Sequence, residues 1–133
     1  MKSLIVEDDP VSRYLMGSIL SPFGPVKTAV DGEEGVQMYL LAFEEGVPFD
    51  VVMLDIMLPK LDGKNVLERI REIESSETVV EHGRTKIIMT TALSHSDETI
   101  LHYRDYYDGY IEKPLDREIV VCELRKMGFD VGY

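Results

Sequence analysis

Four consecutive apolar residues, Val51-Val52-Met53-Leu54, run directly into Asp55 and then into Ile56-Met57-Leu58-Pro59-Lys60-Leu61-Asp62-Gly63. A short apolar run without polar alternation is a strand buried on both faces, as in parallel sheets covered by helices on either side. The pattern recurs along the chain. Ser3-Leu4-Ile5-Val6 stops at Glu7-Asp8-Asp9, Val26 to Val30 stops at Asp31-Gly32, Thr85 to Thr90 stops at Thr91-Ala92, and Gly109 to Glu112 stops at Lys113-Pro114. Segments of helical period separate these runs. They carry Val11/Leu15/Ile19, Val36/Tyr39/Leu40/Phe43, Val66/Ile70/Ile73, a weaker Ile100/Tyr103/Tyr107, and Val120/Leu124/Met127. Asp9-Pro10 reads as N-cap and first residue of the first helix, Ser94 or Ser96 as the cap of the fourth, and Gly128 as the stop of the fifth. Five strand-then-helix units joined by right-handed crossovers give an α/β fold, a five-stranded parallel sheet wound on both faces.

A chain of 133 residues is expected to be a single domain, 1–133, large enough to bury a core without disulfides or metal staples. Its one cysteine, Cys122, rules out an internal disulfide and is expected to be a small buried hydrophobe. No signal-peptide pattern follows Met1-Lys2 and no apolar stretch reaches membrane-spanning length, which points to a soluble cytoplasmic protein. With 25 acidic residues against 14 basic, the net charge of −11 argues against direct contact with nucleic acid or an anionic membrane.

In a parallel sheet all the strands deliver their last residues to one edge, and ligands gather there. Glu7 and Asp8 follow the first strand, Asp55 ends the third, Thr91 follows the fourth and Lys113 the fifth. Three carboxylates in a partly desolvated cleft repel one another and need a cation, raised pKa values, or both. Magnesium suits an all-oxygen donor set with no accompanying His or Cys cluster; His82, His95 and His102 are dispersed. With metal and lysine balancing the charge of the phosphoryl oxygens, a carboxylate can act as nucleophile and become an acyl phosphate.

Taken in order and spacing, Val6-Glu7-Asp8, Asp55 with Pro59 and Asp62-Gly63, Thr91-Ala92, and Tyr110-x-x-Lys113-Pro114 resemble the receiver domains of two-component response regulators. The resemblance covers nearly the whole chain and implies a flavodoxin-like sheet of strand order 2-1-3-4-5. It implies that Asp55 accepts a phosphoryl group from a sensor histidine kinase or phosphotransfer protein. Asp8, Asp55 and the backbone carbonyl of Met57 would bind Mg2+, with Glu7 acting through water. Thr91 and Lys113 would contact the phosphoryl group, Thr91 and Tyr110 would form a switch, and the Lys113-Pro114 bond would be cis. The signal would pass to a protein partner through the face of the fourth helix, fifth strand and fifth helix, where tyrosines 103, 106, 107 and 110 cluster. No output domain is expected within 1–133, and the chain would work as a monomer or a phosphorylation-dependent dimer, a signalling domain rather than an enzyme.

Two other functions compete, a phosphohydrolase of the haloacid dehalogenase type and a flavodoxin-like nucleotide binder. Asp55-Ile56-Met57 lacks the second carboxylate of the former, and no phosphate-cradling loop follows the first strand for the latter. Taken singly, Asp55 and Asp9 could be caps, Glu7 and Asp8 helix N-terminal charges, Thr91 a turn hydroxyl, Lys113 a solvated strand end and Tyr110 core. Two departures from the family pattern stand out. The Glu74–Arg84 connector is long, which reads as a tolerated loop, and Met57 and Leu93 are apolar at positions where slow autodephosphorylation is the expectation.

Overall fold

The computed structural model describes residues 1–58, 62–75, 84–92 and 98–131. Five strands, β1 (Ser3–Val6), β2 (Val26–Ala29), β3 (Val51–Asp55), β4 (Lys86–Thr91) and β5 (Gly109–Glu112), form one parallel sheet in the order β2-β1-β3-β4-β5. The helices are α1 (Pro10–Leu20), α2 (Gly32–Glu44), α3 (Gly63–Ser75), α4 (Glu98–His102) and α5 (Arg117–Lys126), with a 3₁₀ turn at Ser21–Phe23. Fold class and strand order are those expected.

Strand alternation divides the interior into two layers. Leu4, Val6, Val52, Leu54, Ile87 and Met89 face the layer that contains Val36 and Tyr39 of α2 and Val66, Leu67, Ile70 and Ile73 of α3. Ile5, Val51, Met53, Ile88 and Ile111 face Met16, Ile19 and Leu20 of α1 and Val120, Val121 and Leu124 of α5. Each fully buried Leu, Ile or Val contributes about 1.5–3 kcal/mol, so the two layers fix the strand ends that carry the polar residues. Caps do the local work. Asp9 accepts from the Ser12 amide, Asp31 from Glu34 and Asp116 from Glu118, while Gly128, at φ 95°, lies just past the end of α5.

The helical stripes need three corrections. In α1 the buried residues are Met16, Ile19 and Leu20, whereas Val11 is 74% and Leu15 41% exposed. At about 100° per residue, Val11 and Leu15 belong to an apolar arc that adjoins the core arc, and period alone merges the two. In α2, Leu40 lies outside the core and Ala42 takes its place, so that small residues, with Gly35, seat this helix on the sheet. Gly35 is required there, since a Cβ would lie 2.9 Å from the side chain of Val6. Cys122 is exposed on α5, because the buried face there runs through Val120, Val121 and Leu124.

α4 is shorter than its pattern suggested, and Tyr103 and Tyr107 come after its end, half-buried against the α2–α3 layer. Ser94, Ser96, His82, His95, Leu93, Pro59 and connector residues 76–83 lie outside the described residues. Glu74 belongs to α3, and Arg84 precedes β4.

Candidate functional site

β1 ends where the Glu7 amide donates to the carbonyl of Ala29 at 3.1 Å, which aims the Glu7 side chain across the edge of the sheet. Arg13, on the first turns of α1, holds the same loop by donating to the carbonyl oxygens of Glu7 (2.9 Å) and Asp8 (3.3 Å). β3 delivers Asp55 in register with Thr90, whose carbonyl accepts from the Ile56 amide at 3.2 Å. β5 delivers Lys113, whose amide donates to the carbonyl of Thr91 at 2.7 Å, and the Lys113–Pro114 bond is cis.

Three carboxylates meet here. Glu7, Asp8 and Asp55 each place an oxygen within 4.8 Å of the other two. Glu7 is 4% and Asp55 5% exposed, while Asp8 is open to solvent. The Lys113 ammonium spans the pair, 2.6 Å from Glu7 Oε1 and 3.3 Å from Asp55 Oδ2, and Asp55 Oδ1 accepts from the Met57 amide at 3.0 Å. Glu7 Oε2 is buried and has no hydrogen-bond partner among the described residues. Burial, then the neighbouring Asp55 carboxylate, raise the Glu7 carboxyl to about 7 against the pull of Lys113. For Lys113, burial favours the neutral amine, but its bonds and charge contacts with Glu7 and Asp55 outweigh it and lift the pKa above the usual lysine value. One ammonium therefore does not fully satisfy the acids. The all-oxygen donors, their spacing and the orphaned Glu7 oxygen fit a hard divalent cation.

Asp62 and Gly63 shape the wall below Asp55. Asp62 accepts from the Asn65 amide at 3.0 Å and so starts α3. A Cβ on Gly63 would meet the Asp55 carbonyl oxygen at 2.5 Å and Ile56 Cα at 2.4 Å, so only glycine lets the helix abut the strand end this closely. Thr91 is fully buried at the last position of β4 beside Glu112 of β5. Tyr110 is half-buried, and its hydroxyl donates to Glu112 Oε1 at 2.6 Å, on the exposed side. Met57 exposes its side chain at the rim, and Asp9 serves α1 as its cap.

Of the residues expected from sequence pattern, Glu7, Asp8 and Asp55 come together, with Lys113 in contact with Glu7 and Asp55, while Thr91 and Tyr110 lie on the neighbouring strands β4 and β5. Sequence pattern missed Thr90 as the register neighbour of Asp55, Arg13 as the clasp of the acidic loop, and Glu112 as the partner of Tyr110. It also missed the exposed arc of Val11, Tyr14 and Leu15 on α1, the helix that follows the Glu7–Asp8 loop; Tyr14 is 79% exposed. The signal for that arc was an apolar stripe too wide for one face of α1.

Residues 3–125 match the response regulator receiver domain family, and the chain belongs to it. The chain is 34% identical over 120 residues to the chemotaxis protein CheY of Treponema pallidum, covering 89% of this chain and 76% of that one. It is 33% identical over 125 residues to the DNA-binding dual master transcriptional regulator RpaA of Synechocystis, covering 93% of this chain and 47% of that one. The chain spans about half the length of several curated relatives it matches. Among solved structures, the CheX-CheY-BeF3-Mg complex from Borrelia burgdorferi contains a similar chain, with a TM-score of 0.81, 28% identity, and coverage of 98% and 90%. Receivers of this family bind Mg2+ at an acidic pocket, and the present chain carries the matching acidic cluster.

Proposed function

We propose that this receiver is phosphorylated on Asp55 and signals that event to a protein partner in the cytoplasm, as a signalling domain with at most slow autodephosphorylation. The observation that carries the reading is the contact set of Asp55, Glu7, Asp8 and Lys113 at one sheet edge. Glu7, Asp8, Asp55 and the Met57 carbonyl would hold Mg2+, Glu7 through water, and the metal when bound supplies charge that offsets the phosphoryl oxygens. Asp55 is the nucleophile, oriented by the Met57 amide and by Lys113. Lys113 then turns its ammonium from a carboxylate to a phosphoryl oxygen, and Thr91 offers a hydroxyl to another. Incubation with Mg2+ and a small-molecule phosphodonor, followed by intact mass, tests the reading. Stoichiometric, Asp55-dependent labelling supports it; many turnovers of a phosphate ester would favour a hydrolase of the haloacid dehalogenase type. The lifetime of the labelled form measures the autodephosphorylation.

The phosphodonor is a sensor histidine kinase or a phosphotransfer protein, and the exposed Val11, Tyr14 and Leu15 offer it an apolar landing on α1, the helix that follows the acidic loop. Leu15→Glu is expected to slow transfer from such a protein roughly tenfold, about 1.4 kcal/mol of contact, while labelling by a small phosphodonor stays unchanged. An equal loss with both donors would locate the defect in the site instead.

Output runs through α4, β5 and α5. The new group draws Thr91 toward it, and Tyr110 leaves Glu112 and turns inward. Tyr110→Ala is expected to leave labelling intact and to reduce the phosphorylation dependence of partner affinity. A partner that binds the variant with wild-type dependence on phosphorylation would rule out Tyr110 as the switch. The chain works as a monomer or as a phosphorylation-dependent dimer, which sedimentation with and without the phosphoryl group distinguishes.

A further inference from the structure

One guanidinium at the opposite end of α3 engages more of the molecule than the phosphorylation site requires. Arg71 donates from Nε to the Tyr106 carbonyl (2.8 Å), from one terminal nitrogen to Glu74 Oε1 (2.6 Å) and the Thr85 carbonyl (2.9 Å), and from the other to Asp108 Oδ2 (3.0 Å). Its side chain is 12% exposed, and those of Glu74 and Asp108 are 15% and 20% exposed. Both acids are themselves tied to the sheet, Asp108 through the Ile87 amide (2.8 Å) and Glu74 through the Thr85 amide (2.7 Å). The segment so gripped, between α4 and β5, carries Tyr103, Tyr106 and Tyr107, and its end leads into Tyr110.

The other end of α3 presses on the phosphoacceptor. Gly63 bonds the Ile56 carbonyl at 3.1 Å and leaves no room for a Cβ against the backbone of Asp55. Arg71 lies eight residues further along the helix, about 12 Å at 1.5 Å per residue, and Val66, Leu67 and Ile70 bury the face between. A packed helix of this kind transmits a displacement at one end to the other as a body rather than absorbing it.

We propose that α3 is a strut, and that Arg71 is the positioning residue that couples the Asp55 end of the sheet to the tyrosine segment 103–108 by a route separate from Thr91 and Tyr110. The proposal rests on Asp55 as the phosphoacceptor. Bidentate and multiply bonded guanidinium groups hold fixed geometry in a way that an ammonium cannot, so Arg71→Lys keeps the charge and loses the grip. Asp108→Asn, which removes one charged partner, is the second variant should the first fail to fold.

The test uses the whole chain with 3-fluorotyrosine at its seven tyrosines, read by fluorine NMR during titration with Mg2+ and beryllium fluoride. In the wild type the Tyr106 and Tyr107 signals move together with that of Tyr110. In Arg71→Lys and Asp108→Asn their displacement is expected to fall about fivefold, with the Tyr110 displacement retained and the half-saturating beryllium fluoride concentration within about twofold of wild type. A full Tyr106 and Tyr107 response in either folded variant would overturn the strut and leave the phosphoacceptor untouched. A wild type that shows no response, or one that survives Asp55→Asn, would instead overturn the phosphoacceptor reading, and the strut with it.

Discussion

Asp55→Asn is expected to lower the rate of phosphoryl uptake from a small phosphodonor below detection, a loss beyond about a thousandfold, or ~4 kcal/mol of barrier. In the proposed reaction an Asp55 oxygen would form a bond to phosphorus as the bond from phosphorus to the donor's leaving atom breaks, the electron pair departing with the donor. An amide oxygen carries too little charge for that attack. Among the described residues, Glu7 is held by Lys113 at 2.6 Å and Asp8 stands open to water, so neither is placed as a substitute. Asp55→Glu separates charge from place. It keeps a carboxylate but pushes it out by about one C–C bond, ~1.5 Å, from the place where the Met57 amide now holds it. A misplacement of that size costs on the order of a hundredfold, so the Glu variant should label slowly rather than not at all. Intact mass against time, with the unmodified chain alongside, reads both. Wild-type labelling of the Asn variant would place the acceptor elsewhere, and the functional reading would fall.

What could be read from the residues, and what could not, divides along a physical line. The strands were legible because a strand buried on both faces needs a run such as Val51 to Leu54, and in a parallel sheet such runs must deliver their ends to one edge. Glu7, Asp8, Asp55 and Lys113 therefore met as expected. The helix faces were harder. Val11 and Leu15 carry the same period as a core stripe, and only the position of the sheet under Met16 and Leu20 decides which arc is buried. The α4 region was less legible still, since Tyr103 and Tyr107 are packed from beyond the helix, by contacts with the α2–α3 layer that local pattern does not encode. Cys122 failed for a similar reason, its neighbours Val121 and Leu124 having taken the inward positions. The Arg71 network was invisible because, apart from Glu74 one turn along the helix, its partners at 85, 106 and 108 are distant in sequence and are in part backbone carbonyls, which any residue provides.

Without metal, the protein is expected to lose stability as pH rises from about 4.5 to about 7, and Mg2+ is expected to oppose that loss. The cause is Glu7, whose carboxyl stands at about 7 in the folded chain against 4.5 for an unperturbed glutamate. A group whose folded pKa is raised binds its proton more tightly when folded, so its contribution is complete below the unfolded value and is gone once pH passes the folded one. The shift corresponds to roughly 3 kcal/mol between the two plateaus, a large part of the net stability of a domain this size. Glu7→Gln removes the titrating group. In EDTA the variant should be nearly flat with respect to this transition and more stable than wild type at pH 8, where wild type carries the repulsion of Glu7 and Asp55. Metal reverses the order, because binding favours the ionised carboxylate and releases a proton wherever Glu7 still holds one. Mg2+ affinity in the wild type should then rise with pH up to about 7 and level off above it, while Glu7→Gln should bind more weakly with little slope. Urea midpoints and calorimetric Mg2+ titrations across this range measure both effects. A metal-free slope that survives Glu7→Gln unchanged would assign the pH dependence to other groups and remove Glu7 as the source of strain in the cluster.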